Sequence, residues 1–325
     1  MAITRFGQEN PIKFSNFASR LNSFRSSSNR SPLDALRLLS TVPGITATEL
    51  NYPQHFAGPD DRSVITAAQS LGLAVTALNP RFDPPQFAAG SFTHPEAATR
   101  QAAMELACQA VDIAAECEID HVILWFGPDG FDYPFQAEYG RLWEWTIEGV
   151  SATAARNPDI RISVEPKPSD PRRYSLIRGI SDALLLARDS GSGRVGVTLD
   201  FCHVLMSGES PALAASIALK DQRLFGMHLN DGYGPADDGL MVGAVHPIQT
   251  LELLWVLQRA GWNGTIYFDT FPEHIDPVAE CAANIATVKR MMARLETLNA
   301  SDLATVQANQ DAVGAMQISR DLLLP

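Results

Sequence analysis

From Ile45 onward the chain repeats one unit: a short apolar, β-branched run, then a longer segment with apolar residues at helical spacing. This alternation, with no linker inside it, confines the chain to parallel α/β architecture, because parallel strands need a crossover and the common crossover is a helix. The predicted strands are Ile12–Phe14, Ile45–Leu50, Leu73–Leu78, His121–Trp125, Ile160–Glu165, Val195–Asp200, Leu224–His228 and Gly264–Asp269. The helices predicted between and after them include Asp60–Leu71, Pro95–Glu118, Gln136–Ala155, Ser175–Arg188, Pro211–Leu219, Pro247–Ala260 and Asp276–Leu298, and a further one opens at Ser31-Pro32. Eight units exceed the usual doubly wound sheet, and no G-x-G-x-x-G follows a strand. The expectation is a single (β/α)8 TIM barrel over residues 1–298, with a helical arm at 299–325.

Such a barrel gathers its chemistry at the C-terminal strand ends. Strands five to eight are predicted to end in Glu165, Asp200, His228 and Asp269. Three carboxylates at one mouth repel one another and raise each other's pKa, and a divalent cation removes that cost. An oxygen-rich set with one imidazole and no thiolate suits Mn²⁺, Mg²⁺ or Co²⁺, with Zn²⁺ also compatible. Asp200 and His203, with Asp237 and Asp238 from the long loop after strand seven, offer ligands for a second ion. Lys167 lies two positions beyond Glu165, on the same side of an extended chain, and so faces the same cavity as an oxyanion donor or as a partner of the metal carboxylates. Trp125, at the end of strand four, is a candidate wall for the pocket. His55, Asn79 and Phe82, just after strands two and three, are candidates for contacting substrate.

The net charge of −12 argues against non-specific nucleic-acid binding, which runs on Lys and Arg. Cys108, Cys117, Cys202 and Cys281 form no C-x-x-C pair and read as reduced thiols. The N-terminal residues lack the apolar core of a signal peptide, and no apolar run approaches a membrane span. A cytoplasmic protein with no membrane or nucleic-acid partner is expected.

In four stretches the chain resembles the xylose isomerase-like TIM barrels: Phe87–His94, Val122–Gly130, Val164-Glu-Pro-Lys-Pro168 and His228–Asp238. The resemblance covers roughly residues 12–295. It implies that Glu165, Asp200, His228 and Asp269 hold one metal, and that His203 and Asp238 hold a second, catalytic one, with Asp200 bridging. It places Lys167 at the substrate O1, Trp125 as a shield against water and His55 at the position of a ring-opening histidine. Xylose isomerase has Glu where Asp200 stands and Asp where His228 stands, so the set is more similar to that of the Pseudomonas-type L-rhamnose isomerases. A further Asp of xylose isomerase is replaced here by Leu240, so by the resemblance a full second site would require Asp237 to substitute.

What the resemblance implies is a metal-dependent aldose–ketose isomerase for an unphosphorylated sugar, working by a 1,2-hydride shift, with one or two ions per subunit and a homo-oligomeric assembly, dimer or tetramer. The rivals are a ketose 3-epimerase or keto-glycoside lyase that uses the same metal through an enediolate, a DNA-repair nuclease of the same fold, and a non-catalytic sugar-binding relative. Lys167 separates isomerase from 3-epimerase, since the 3-epimerases lack that lysine and end their ligand set in Glu.

Overall fold

The computed structural model describes residues 14–25 and 30–324. Its elements follow the alternation of the sequence: β1 (Phe17–Arg20), α1 (Pro32–Leu39), β2 (Ala47–Tyr52), α2 (Ser63–Ser70), β3 (Ala74–Pro80), α3 (Ala97–Glu116), β4 (His121–Trp125), β5 (Gly130–Phe131), α4 (Tyr139–Arg156), β6 (Arg161–Glu165), β7 (Tyr174–Ser175), α5 (Ile180–Asp189), β8 (Val195–Asp200), α6 (Phe201–Met206), α7 (Pro211–Lys220), β9 (Leu224–Leu229), α8 (Pro247–Arg259), β10 (Ile266–Phe268), α9 (Pro277–Leu295), α10 (Ala300–Asn309) and α11 (Ala312–Leu323).

Eight strands close into a barrel in the order β1-β10-β9-β8-β6-β4-β3-β2. Their pairings are all parallel. β5 and β7 stand outside it as an antiparallel ribbon. The helices start where local chemistry supplies a cap. Ser31, Ser210 and Asp276 accept main-chain N–H groups of α1, α7 and α9, and proline occupies the first turn of each. Gly72, at φ +77°, ends the α2 unit in a conformation that a side chain would strain. The helices between the strands bury an apolar stripe; in α3 it includes Ala103, Ala107, Ala110, Val111 and Ala114.

The first strand differs from expectation. Ile12 and Lys13 lie outside the described residues, and β1 forms at Phe17–Arg20, where Phe17 pairs with Ile266 and Ala18 with Ala47. The helix expected from Ser175 starts at Ile180, because Tyr174 and Ser175 are taken by the ribbon. α6 was not anticipated. It follows β8 directly, capped by the Asp200 carboxylate, which accepts the His203 N–H at 2.9 Å.

Two buried carboxylates fix the loops that frame the mouth. Asp129 accepts the main-chain N–H groups of Ser91 (3.1 Å) and Thr93 (2.7 Å) and both hydroxyls, tying the loop before α3 to the loop after β4. Asp231 accepts the N–H groups of Val245 and His246, each at 2.8 Å, and closes the long loop after β9. The C-terminal arm is the hairpin of α10 and α11. Arg294 of α9 donates to the Leu322 and Leu324 carbonyls at 3.0 and 2.9 Å and holds its end. Among the described residues no helix is long and apolar enough to cross a membrane.

Candidate metal centre

Register brings the polar strand ends to one level. Trp125 pairs with Glu165, Asp200 with His228, and His228 with Tyr267. Asp269 follows β10 directly. They surround a cavity of about 240 Å³ at the barrel mouth, whose lining includes Glu165, Lys167, His203, His228, Asp237 and Asp269.

One ligand atom each from Glu165, Asp200, His228 and Asp269 lies within 4.8 Å of the others, and Asp200, His203 and Asp237 form a second group by the same measure. Asp200 is common to both. The geometry fits a cation better than it fits hydrogen bonding. His228 Nδ1 stands 3.3 Å from Glu165 Oε1, and His203 Nδ1 stands 3.4 Å from the same atom. Both nitrogens are buried and neither makes a hydrogen bond; Asp237 Oδ1 is in the same position. Buried polar atoms without partners cost free energy, and a cation is the common partner that would satisfy them.

The charges respond accordingly. Burial and the nearby Asp237, Glu165 and Asp269 push the Asp200 carboxyl up to about 7 against the pull of His203. Burial opposes protonation of His203, but Asp200, Asp237 and Glu165 outweigh it and bring the imidazole up to about 9. Burial works to raise Glu165 as well, yet His228, His203 and Arg81 hold it below the usual carboxylate range. The carboxylates around His203 and His228 thus favour positive charge at this place, which a divalent cation among these ligands would supply.

Lys167 Nζ lies 3.1 Å from Asp237 and 3.3 Å from Asp170. Burial alone would discharge it, but these carboxylates raise its pKa above the ordinary lysine value. Trp125 is held between two neighbours. The Arg81 guanidinium carbon lies 4.5 Å from its ring centre, and a Cβ added at Gly127 would come within 2.1 Å of the ring. Asn79 lines the cavity and donates to Glu49 Oε2 at 3.1 Å.

Three predicted site residues stand elsewhere. His55 does not line the cavity: its Nδ1 accepts the Asn51 N–H at 3.0 Å, and its Nε2 lies 3.0 Å from Asn22 Oδ1. Burial, with the charges of Arg25, Arg81 and Arg20, lowers its pKa to about 3. Phe82 is buried in an aromatic group with Phe87, Phe92 and Phe126. Asp238 turns away to accept the Tyr233 N–H at 2.6 Å, and its neighbour Asp237 takes the place beside His203, with Oδ2 at 3.1 Å from Nε2.

Other residues of the site were not singled out from sequence. Glu49, buried in β2, lies 3.4 Å from His228 Nε2. Asn230 is fully buried; its amide donates to Asp200 Oδ2 at 3.0 Å and to the Asp269 carbonyl at 3.1 Å, and its Oδ1 accepts the Cys202 N–H at 2.9 Å. It locks the ends of β8, β9 and β10 together. Its place two residues past His228 in the His-Leu-Asn run was the available signal. Arg20 and Arg81 also line the cavity.

Known proteins share sequence and fold with this chain. Xylose isomerase of Thermus thermophilus is 28% identical over 211 residues, which is 62% of this chain and 54% of that protein. A probable sugar isomerase of Mesorhizobium japonicum is 26% identical over 302 residues, 86% of this chain and 67% of its own length. The chain therefore spans about half to two thirds of these relatives. Among solved structures, an L-ribulose 3-epimerase superposes with a TM-score of 0.68 at 16% identity, covering 86% of this chain and 95% of that one. A 3-keto-D-glucoside 4-epimerase of E. coli gives 0.64 at 16% identity over 85% of this chain and 99% of its own. The model of the xylose isomerase-like TIM barrel family matches residues 38–300, most of the chain, and the protein belongs to that family.

Proposed function

We propose that the protein is a divalent-metal-dependent aldose–ketose isomerase acting on an unphosphorylated sugar. The observation that carries this reading is the convergence of His203 and His228, whose buried Nδ1 atoms face Glu165 without a hydrogen bond, on the carboxylate cluster beside Lys167. Glu165, Asp200, His228 and Asp269 would hold one ion; Asp200, His203 and Asp237 would hold a second. Mn²⁺, Mg²⁺ and Co²⁺ suit these donors. A bound divalent ion polarises the O1 and O2 oxygens of the open-chain sugar.

The chain's own groups do the rest. Lys167, kept protonated by Asp237 and Asp170, donates to O1 as negative charge develops there. Trp125 walls the cavity against water. In the aldose-to-ketose direction, hydrogen leaves C2 with its electron pair and bonds to C1, while the O2 proton is transferred to O1. The atoms balance without any external oxidant. Titration of Lys167 is pushed above the ordinary lysine range, so this donor persists through neutral pH.

The reading is supported by the named activities of the two sequence relatives, a xylose isomerase and a probable sugar isomerase. The test is a panel of aldoses and ketoses incubated with each metal and read by product chromatography, repeated in deuterated water. Interconversion with little solvent deuterium at C1 or C2 is expected. Full exchange would replace the hydride route by an enediolate and favour epimerase chemistry. No interconversion of any sugar with any of these metals would overturn the proposal.

A further inference from the structure

Three cations line the cavity, and only two are paired. Lys167 contacts Asp237 and Asp170, and Arg20 lies 3.6 Å from Asp269 through its Nε. Arg81 makes no side-chain hydrogen bond and no ion pair with any described residue, and its Nε is buried without a partner. The guanidinium is nonetheless fixed in place, stacked over Trp125 at 4.5 Å. A planar five-donor group held in a substrate cavity with no acceptor is poised for a ligand oxyanion.

Its position says which end of the substrate it meets. In the closed strand order β3 stands diametrically across from β9, and β9 carries His228. Arg81 directly follows β3. His228 on β9 stands across the mouth from Arg81, whereas Glu165 on β6 is two strands away, so a sugar whose O1 and O2 lay on the His228 side of the cluster would run its far end toward Arg81.

We infer that Arg81 anchors a carboxylate at the far end of the sugar, making the substrate of this site an open-chain uronate. The inference rests on the isomerase reading for what happens at the near end. A carboxylate is preferred over a phosphate ester because one guanidinium fork matches the two oxygens of a planar carboxylate. Arg20 and Lys167 are already engaged, so a phosphate dianion would find a single free cation.

The test compares D-galacturonate, D-glucuronate and D-mannuronate with D-galactose, D-glucose and D-mannose, and with the 6-phosphates of those hexoses. Calorimetry on the Mn²⁺-loaded protein reads binding whether or not product forms, and chromatography reads turnover separately. Uronates are expected to bind about 10- to 100-fold more tightly than their neutral hexoses, the gain typical of a charge-assisted hydrogen bond. Arg81→Gln should close that gap. Arg81→Lys keeps a cation over Trp125 and should restore part of it, which separates a lost anchor from a disturbed wall. Equal affinity for uronate and hexose, a gap that survives Arg81→Gln, or a preference for the 6-phosphates would overturn the inference. Tight uronate binding without any ketose product would keep the anchor and remove the isomerase reading. Ketose formation from neutral hexoses with no uronate preference would do the reverse.

Discussion

His121 and His228 are both buried in the barrel, at 4% and 3% exposure, and their surroundings could hardly differ more. His121 begins β4 at the base. Its Nε2 lies 2.8 Å from Ser163 Oγ, which in turn lies 2.6 Å from Thr198 Oγ1, and burial drives its pKa well below the ordinary value. His228 sits at the mouth between Glu165 and Glu49, and these carboxylates overcome burial and drive its pKa well above. At the base, a neutral dipole meets the ring and no carboxylate stands against it. At the mouth, charge is concentrated and both ring nitrogens lack hydrogen bonds. Burial alone does not mark a site; burial with unmet bonding capacity does.

The sharpest way to break this contrast is to change one group at each end. Glu165→Gln keeps the shape of the cluster and removes the charge that both imidazoles face. Metal affinity and metal-dependent turnover should each fall by more than about 100-fold, beyond the usual effect of a residue that only supports a ligand. His121→Ala should lower stability by about 1–3 kcal/mol by emptying a buried site and leaving Ser163 only Thr198 as a partner, and should leave metal affinity unchanged. Calorimetric Mn²⁺ titration and urea unfolding of the two variants decide the matter. A Glu165→Gln protein that binds Mn²⁺ like the parent would remove the metal centre from the mouth.

Next in size is the choice between adjacent acids. Asp237→Asn should reduce turnover by roughly 10- to 100-fold, since Asp237 supports both His203 and Lys167. Asp238→Asn keeps an amide oxygen to accept the Tyr233 N–H on a loop and should stay within about 0.5 kcal/mol of the parent in stability, with turnover little changed. Steady-state rates of the two single variants read the difference. A reversed order would return the second cluster to Asp238.

The Asp237/Asp238 pair shows where the sequence stops being readable. Strand ends are legible because a strand imposes a two-residue period and a barrel directs every strand end to one face. Glu165, Asp200, His228 and Asp269 obey those rules, and the fold brings them together. Which of two neighbouring loop acids turns inward depends on a chain reversal held by Asp231, residues away, and no periodicity encodes it. The ribbon of β5 and β7 pairs segments more than forty residues apart and is invisible for the same reason. β1 is four residues of Phe-Ala-Ser-Arg, too short to show a pattern, and its place is fixed by pairing with β2 and β10. Glu49 lies within β2, where the strand-end rule does not point, and its place beside His228 arises only when the barrel closes. His55 was drawn to the site by its position after a strand. Its ring is instead claimed by the Asn51 main chain and Asn22.

That assignment of His55 yields the smallest and most specific effect. Because Nδ1 accepts a main-chain N–H, the ring must carry its proton on Nε2, and a second proton would break the Asn51 bond. The folded-state pKa is lowered from 6.5 to about 3, so between these values the unfolded chain binds a proton that the folded protein refuses. Stability contributed by the neutral ring is therefore intact above pH 6.5 and is lost as pH falls toward 3, by at most roughly 4–5 kcal/mol at the acid end. His55→Gln retains an acceptor and cannot titrate, so its unfolding free energy should fall less steeply with acid than the parent's, with His121 still supplying part of the slope. Urea unfolding at pH 7.5, 6 and 5 measures it, and Glu165→Gln serves as the mouth control. Parallel pH profiles for parent and His55→Gln would mean that the His55 ring titrates alike in the folded and unfolded chain, free of the Asn51 bond, and would reopen its role as a group that meets the sugar.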